Sequence, residues 1–283
     1  MNKSLRILFM QWLCGCIACI SVSGLMGMPL FDTHLHYNIA DAKQLSPPQI
    51  IKILNINAIQ YALVTSSPPM LAQQLYQQAP DKILPLLGVY HKTKDKETWM
   101  HDDELPSRIE SQLKQGHWYG IGELHLFASN RHSAVFKDII KLAKEYKLPL
   151  LLHADPAVID TVYVEAPDHP VIWAHAGTYP YPDLIADYLK RYPALRVDLS
   201  VRDERITHNG MLRDDWYDLL VTYSDRFMTG VDTYSLSRWK NFDSVVTSTH
   251  KWLQQLPLNV TRKIAYNNAA TLFAKHVRLQ SKE

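Results

Sequence analysis

Past Pro29 the chain alternates short apolar, β-branched runs with longer stretches whose apolar residues recur at helical spacing. The runs predict strands over 29–33, 58–65, 83–89, 119–125, 148–153, 171–174, 195–199 and 226–231. Helical pattern fills most of the intervals, over 47–55, 70–78, 105–115, 132–146, 182–191 and 211–223. Several strands are nearly continuous in Leu, Ile and Val, as they must be when barrel packing covers one face and helices the other. Eight βα units over about 250 residues predict an α/β fold, a single-domain (β/α)8 TIM barrel. An open doubly wound sheet would want a glycine-rich phosphate loop after the first strand, where this chain has Asp32-Thr33-His34-Leu35-His36.

The N-terminus departs from this rhythm. Lys3 and Arg6 precede an uncharged, mostly apolar run over 7–28, the pattern of a secretory signal, and Ser21-Val22-Ser23 fits cleavage before Gly24. Residues 1–23 are therefore read as a signal peptide and 24–283 as the barrel domain, which places the mature protein in the periplasm or outside the cell, without stable membrane association. A transmembrane anchor is the alternative, since the run is long enough to span a bilayer. A start at Met26 or Met28 would give a cytoplasmic protein, and Leu13-Cys14-Gly15-Cys16 would allow a lipid anchor at Cys16. All three cysteines, Cys14, Cys16 and Cys19, lie in this segment, so a processed chain has no thiol chemistry. Cleavage also takes Lys+Arg from 30 to 28 against 28 Asp+Glu, and a neutral mature chain argues against a nucleic-acid partner. A homodimer is compatible with the sequence, which marks no interface.

In a barrel the active site lies at the carboxyl ends of the strands. The polar residues there are uneven: His34 and His36 after strand one, Glu123 and His125 at strand four, His153 at five, His175 at six and Asp232 at eight. Strands two and three end in Thr65, Ser66 and Tyr90, with no comparable ligand. Residues two apart on a strand face the same side, so His34 and His36 form a pincer for one ion. Imidazole and carboxylate without thiolate suit Zn2+ or a similar first-row ion such as Mn2+, with one or two ions per site. Two surface or hydrogen-bonded histidines are the alternative for His34 and His36 taken alone.

The ordered series DTHLH, GIGELHLF, LLLHAD, VIWAHAG and TGVDTY, followed by IAYNNAATLF, resembles the amidohydrolase superfamily. It lies close to the amidohydrolase-related branch and has TatD-like and phosphotriesterase-like features. The resemblance spans nearly the whole mature chain and implies a metal-dependent hydrolase that attacks a small-molecule amide, ester, lactone or phosphoester bond with a metal-activated water. It assigns His34, His36, His153, His175 and Asp232 to metal-binding and catalytic positions, with Glu123 where related enzymes place a bridging glutamate or carboxylated lysine. His34, His36 and Glu123 would hold the first ion. His153 and His175 would hold a second ion or polarise the substrate oxygen, and Asp232 would act as general base. His125, Arg202 and Tyr234 are candidate substrate contacts. For Arg202 a loop ion pair with Asp203 or Glu204 is the alternative, for His125 a structural hydrogen bond, and for Tyr234, Tyr179 and Trp239 ordinary packing. His91, His101, His117 and His250 are read as surface residues. Competing functions are a non-oxidative decarboxylase on the same scaffold, a TatD-like nuclease and a non-catalytic periplasmic binding protein.

Overall fold

A computed structural model describes residues 28–277; the segment read as a signal peptide lies outside the described residues. The strands are β1 (Leu30–His36), β2 (Ile59–Thr65), β3 (Ile83–Leu87), β4 (Gly120–Leu126), β5 (Leu150–Ala154), β6 (Val171–Trp173) and β7 (Leu195–Asp198). A small hairpin of β8 (Thr207–His208) and β9 (Met211–Leu212) follows, and then β10 (Phe227–Met228). Strands β1 to β7 and β10 lie side by side in chain order, each parallel to its neighbour. The Thr33 N–H donates to the Thr229 carbonyl at 2.9 Å and the Asp232 N–H to the His34 carbonyl at 2.6 Å, which brings the last strand back to the first. The fold is the (β/α)8 barrel that the pattern predicts.

Proline opens the first turn of the helices Pro47–Ile56, Leu105–Gln115, Pro156–Glu165 and Pro182–Arg191, where its missing N–H costs nothing. Ala134–Tyr146 starts instead on Ser133, whose side chain accepts the Phe136 N–H, and it buries Val135, Phe136, Ile139, Ile140 and Ala143. One apolar layer lies between helices and sheet. A second fills the barrel floor, where Phe31, Tyr61, Leu86, Leu151 and Met228 meet Tyr266 and Phe273 of the C-terminal helical segment. With the floor apolar, polar side chains collect at the opposite end, at the carboxyl ends of the strands.

Two differences from the sequence reading bear on the site. Strand β1 runs on to His36, so the paired histidines belong to the strand itself, and register shifts interrupt β1 between Asp32 and Leu35 and β4 between Gly122 and Leu124. Such bulges re-aim side chains. Phe31 packs in the barrel floor while His34 and His36, of opposite parity, also face the interior; in β4 Ile121 and Leu124 both join the outer layer while Glu123 faces in. Second, Met211 and Leu212 are strand, and the helix begins at Asp214. Asn209 and Gly210 both take positive φ, 51° and 77°, forming a two-residue hairpin turn that ends the preceding strand and starts the next.

Candidate metal centre

The two bulged strands deliver His34, His36, Glu123 and His125, β5 delivers His153, and the turns after β6 and β10 deliver His175 and Asp232. Glu123 stands at the middle. Its Oε1 lies 3.2 Å from His153 Nδ1, 3.2 Å from His175 Nε2 and 3.5 Å from His34 Nε2. Its Oε2 lies 3.3 Å from His36 Nε2 and 3.6 Å from His125 Nε2. Asp232 faces it: Oδ1 is 3.3 Å from His36 Nε2 and 3.9 Å from His34 Nε2, and Oδ2 is 3.7 Å from His175 Nε2. Three overlapping sets have ligand atoms within 4.8 Å of one another: His34, His36 and Glu123; His34, His175 and Asp232; and Glu123, His125 and His153. The six residues that the sequence singles out as ligands thus converge on one place.

A second layer fixes how the imidazoles point. Asp198, at the end of β7 and fully buried, accepts the His34 Nδ1–H at 2.8 Å and the Ser200 hydroxyl at 2.6 Å. The Ser200 oxygen in turn accepts the His175 Nδ1–H at 2.8 Å. With both Nδ1 atoms engaged, both Nε2 atoms are left to face Glu123 and Asp232, as in metal sites whose histidines are oriented by an outer carboxylate. Asp198 is absent from the sequence-derived set. Thr65 and Tyr90, set aside there, also serve the centre: Thr65 Oγ1 donates to the Gly122 carbonyl at 2.6 Å, and the Tyr90 oxygen accepts the His125 N–H at 2.7 Å.

The donor set fits a divalent cation. His34 Nε2 and Asp232 Oδ1 are both buried and have no hydrogen-bond partner among the described residues, an arrangement that is costly unless a ligand meets them. The electrostatics point the same way. Burial opposes charge on Glu123, but the charge of His34 and hydrogen bonds from His153 and His175 hold its pKa well below the usual range. Burial likewise opposes charge on Asp232, and His34 and His36 overcome it, pulling the carboxyl down to about 2. His34 is the converse case: burial disfavours its protonation, and Glu123, Asp232 and Asp198 outweigh that and raise it well above its ordinary value. The two carboxylates thus favour positive charge on His34 and His36, as they would favour a cation between them. Burial sends His125 the other way, to about 3.

His175 and Asp232 both adopt left-handed backbone, with φ of 58° and 54°, which side-chain-bearing residues rarely take. Each is pinned through its carbonyl by an arginine. Arg202 Nε donates to the His175 carbonyl at 2.5 Å and its fork also reaches the Gly177 carbonyl at 3.1 Å. Arg238 Nε donates to the Asp232 carbonyl at 3.2 Å and reaches the Val231 carbonyl as well. The Arg202 fork is thus directed at backbone, neither at Asp203 or Glu204 nor into the cavity.

Of the other candidates, Tyr234 is exposed at the mouth, whereas Trp239 is buried and donates to the His36 carbonyl at 3.1 Å. His125 stacks on His153 with ring centroids 4.4 Å apart. His250 is buried, contrary to its reading as a surface residue, because the helix Phe242–Leu253 turns it inward with Val246, Thr249 and Leu253. A cavity of about 400 Å3, within the usual range for small-molecule sites, opens over His36 and Glu123 between Asn38, Tyr90, Lys96 and Tyr234.

Gly122 delivers Glu123 by a route closed to other residues. Its φ is 144°, and a methyl group there would collide with the Leu151 carbonyl of the neighbouring strand. Gly122→Ala should therefore lower unfolding stability by about 3 kcal/mol, read as a shift in the urea midpoint at unchanged slope. An unchanged midpoint would show that the strands can separate locally without cost.

No protein-family profile matches the chain, and no curated protein matches it by sequence. Solved structures do match. One assigned as a 2-pyrone-4,6-dicarboxylic acid hydrolase from Pseudomonas putida has a TM-score of 0.60 at 12% identity, over 88% of this chain and 99% of its own. A TatD homologue of Escherichia coli has a TM-score of 0.60 at 13% identity, over 86% and 97%. An amidohydrolase from Burkholderia multivorans with bound zinc has a TM-score of 0.58 at 11% identity, over 87% and 99%. The chain therefore has the fold of amidohydrolase- and TatD-type hydrolases along nearly the whole length of these relatives.

Proposed function

We propose that the protein is a metal-dependent hydrolase of the amidohydrolase type, acting on a small molecule with an amide, ester, lactone or phosphoester bond. The observation that carries this reading is the pair of orphaned buried atoms, His34 Nε2 and Asp232 Oδ1, inside a ring of four further ligand-type side chains. His34, His36, Glu123, His175 and Asp232 would hold a divalent ion, and His153 with His125 would extend the set on the far side of Glu123. A bound divalent ion supplies Lewis acidity, lowering the pKa of water toward about 7 and polarising the substrate oxygen. Asp232, anionic at neutral pH, receives the proton of the attacking water and returns it to the leaving group. In a one-metal site His153, less buried than His34 or His175, would instead donate to the substrate oxygen. The nitrogen and oxygen donors favour zinc, with manganese as the alternative, and the zinc-bound neighbour of the same fold supports that choice. Periplasmic placement rests on the basic-then-apolar segment at residues 1–23.

The test is elemental mass spectrometry on full-length protein purified without added metal or chelator. One or two equivalents of a first-row divalent metal are expected per chain, absent from a His34→Ala, His36→Ala double variant. A wild-type protein that holds no metal, and takes up neither zinc nor manganese when offered, would overturn the proposal.

A further inference from the structure

One wall of the cavity plays no part in the chemistry above. After β3 the chain carries Tyr90, His91, Lys92 and Lys96 into the lining of the cavity, which Ile39, Ala40, Tyr234 and Leu236 share. Lys96 Nζ stands 3.3 Å from His125 Nε2 and 5.9 Å from the centre of the Tyr90 ring. Neither neighbour balances its charge. Among the described residues no carboxylate pairs with Lys96 or Lys92. The adjacent Asp95 turns back on its own loop, where its Oδ2 accepts the N–H groups of His91 and Lys92 at 2.9 Å each. Asp41, across the cavity, accepts the Asn38 N–H at 2.8 Å. Lys96 is therefore a half-buried cation without a counter-ion, and only the His125 ring separates it from Glu123.

A ligand that suits this cavity has an apolar body to lie against Ile39, Tyr234 and Leu236, a reacting group over the carboxylates, and one anionic end. Lys96 is the half-buried ammonium of this wall, while Lys92 is exposed to water, so one carboxylate is matched here and a phosphate, with three acceptor oxygens, would leave most of them unpaired. We propose that Lys96 is the docking point for a substrate carboxylate, so that the substrate is a small carboxylic acid whose scissile bond lies over the metal centre, beside Glu123. The position of the scissile bond rests on the hydrolase reading, whereas the anion site rests on the cavity alone. Lys96 then sets specificity: an uncharged analogue would enter the same cavity and be held poorly.

The probes are glutarate and benzene-1,3-dicarboxylate, each offering one carboxylate to the metal centre and one to Lys96. They are titrated calorimetrically into full-length protein, both zinc-loaded and chelator-stripped. Zinc-loaded wild type should bind at least one of them, Lys96→Met should bind it about tenfold more weakly or worse, and Lys96→Arg should stay within a few-fold of wild type. Thermal melts of both variants, matching wild type, separate lost binding from lost folding. Equal affinity in wild type and Lys96→Met, or no binding of either probe to zinc-loaded wild type, would overturn the anion site and leave the hydrolase reading intact. Protein that takes up no zinc but still binds a probe in a Lys96-dependent way would sink the hydrolase reading and keep the anion site.

Discussion

Asp232→Asn is expected to cut turnover by about three orders of magnitude while the protein stays folded. The amide has the shape of the carboxylate but carries no charge and cannot take the water proton. Its backbone ties survive the exchange, because Arg238 binds the carbonyl and the His34 carbonyl accepts the N–H. Asparagine is also among the residues that best tolerate the left-handed φ of 54° found here. The measurement is kcat on any substrate that wild type hydrolyses, with metal content and a thermal melt recorded on the same sample. Turnover close to wild type, with metal retained, would reduce Asp232 to a loop cap.

The second large effect is expected at Asp198, which contacts no substrate. Its carboxylate accepts the His34 Nδ1–H, the Ser200 hydroxyl and, at 2.8 Å, the Ser200 N–H, all in the interior. Asp198→Ala leaves these donors buried and unpaired, so stability should fall by about 3–5 kcal/mol. With the rings free to turn, metal affinity should fall by about 10–100-fold. The pH dependence in metal-free protein is specific. Burial works against charge on Asp198, but the hydrogen bond and charge of His34 lower it below 3.8, so its contribution is present above that value and fades on acidification. His34 is raised above 6.5, so its contribution is complete below 6.5 and fades as pH climbs through the raised value. Urea denaturation should therefore show the largest gap between wild type and variant between those two values. A gap that does not vary with pH would mean that Asp198 acts by shape rather than charge.

The barrel was legible because eight apolar runs, spaced by helical pattern, have few other ways to bury their faces. The candidate cluster was legible for a related reason: in strands otherwise made of Leu, Ile and Val, a histidine or glutamate near the carboxyl end stands out. Register shifts were not legible, since a bulge changes which parity faces inward without changing the composition of the strand. Asp198 was hidden because Leu195-Arg196-Val197-Asp198 reads as simple alternation with the aspartate facing water. Only the closed ring shows that it reaches His34 past the single intervening strand β10. The Asn209-Gly210 turn does carry its signal in the sequence, masked by the helical periodicity that follows it. Arg202 stands after strand seven as a substrate clamp would, and nothing in one dimension tells that its partners are the carbonyls of the His175 turn.

The closure of β10 against β1 has a consequence for how the protein matures. His34 and His36 come from the first strand and Asp232 from the turn after the last, nearly two hundred residues later. A growing chain thus carries five of the six candidate ligands once His175 is made, and the sixth, Asp232, arrives with the segment that seals the ring. The full set exists only when the ring is closed, and an ion held by Asp232 together with His34 would report that the first and last strands have met.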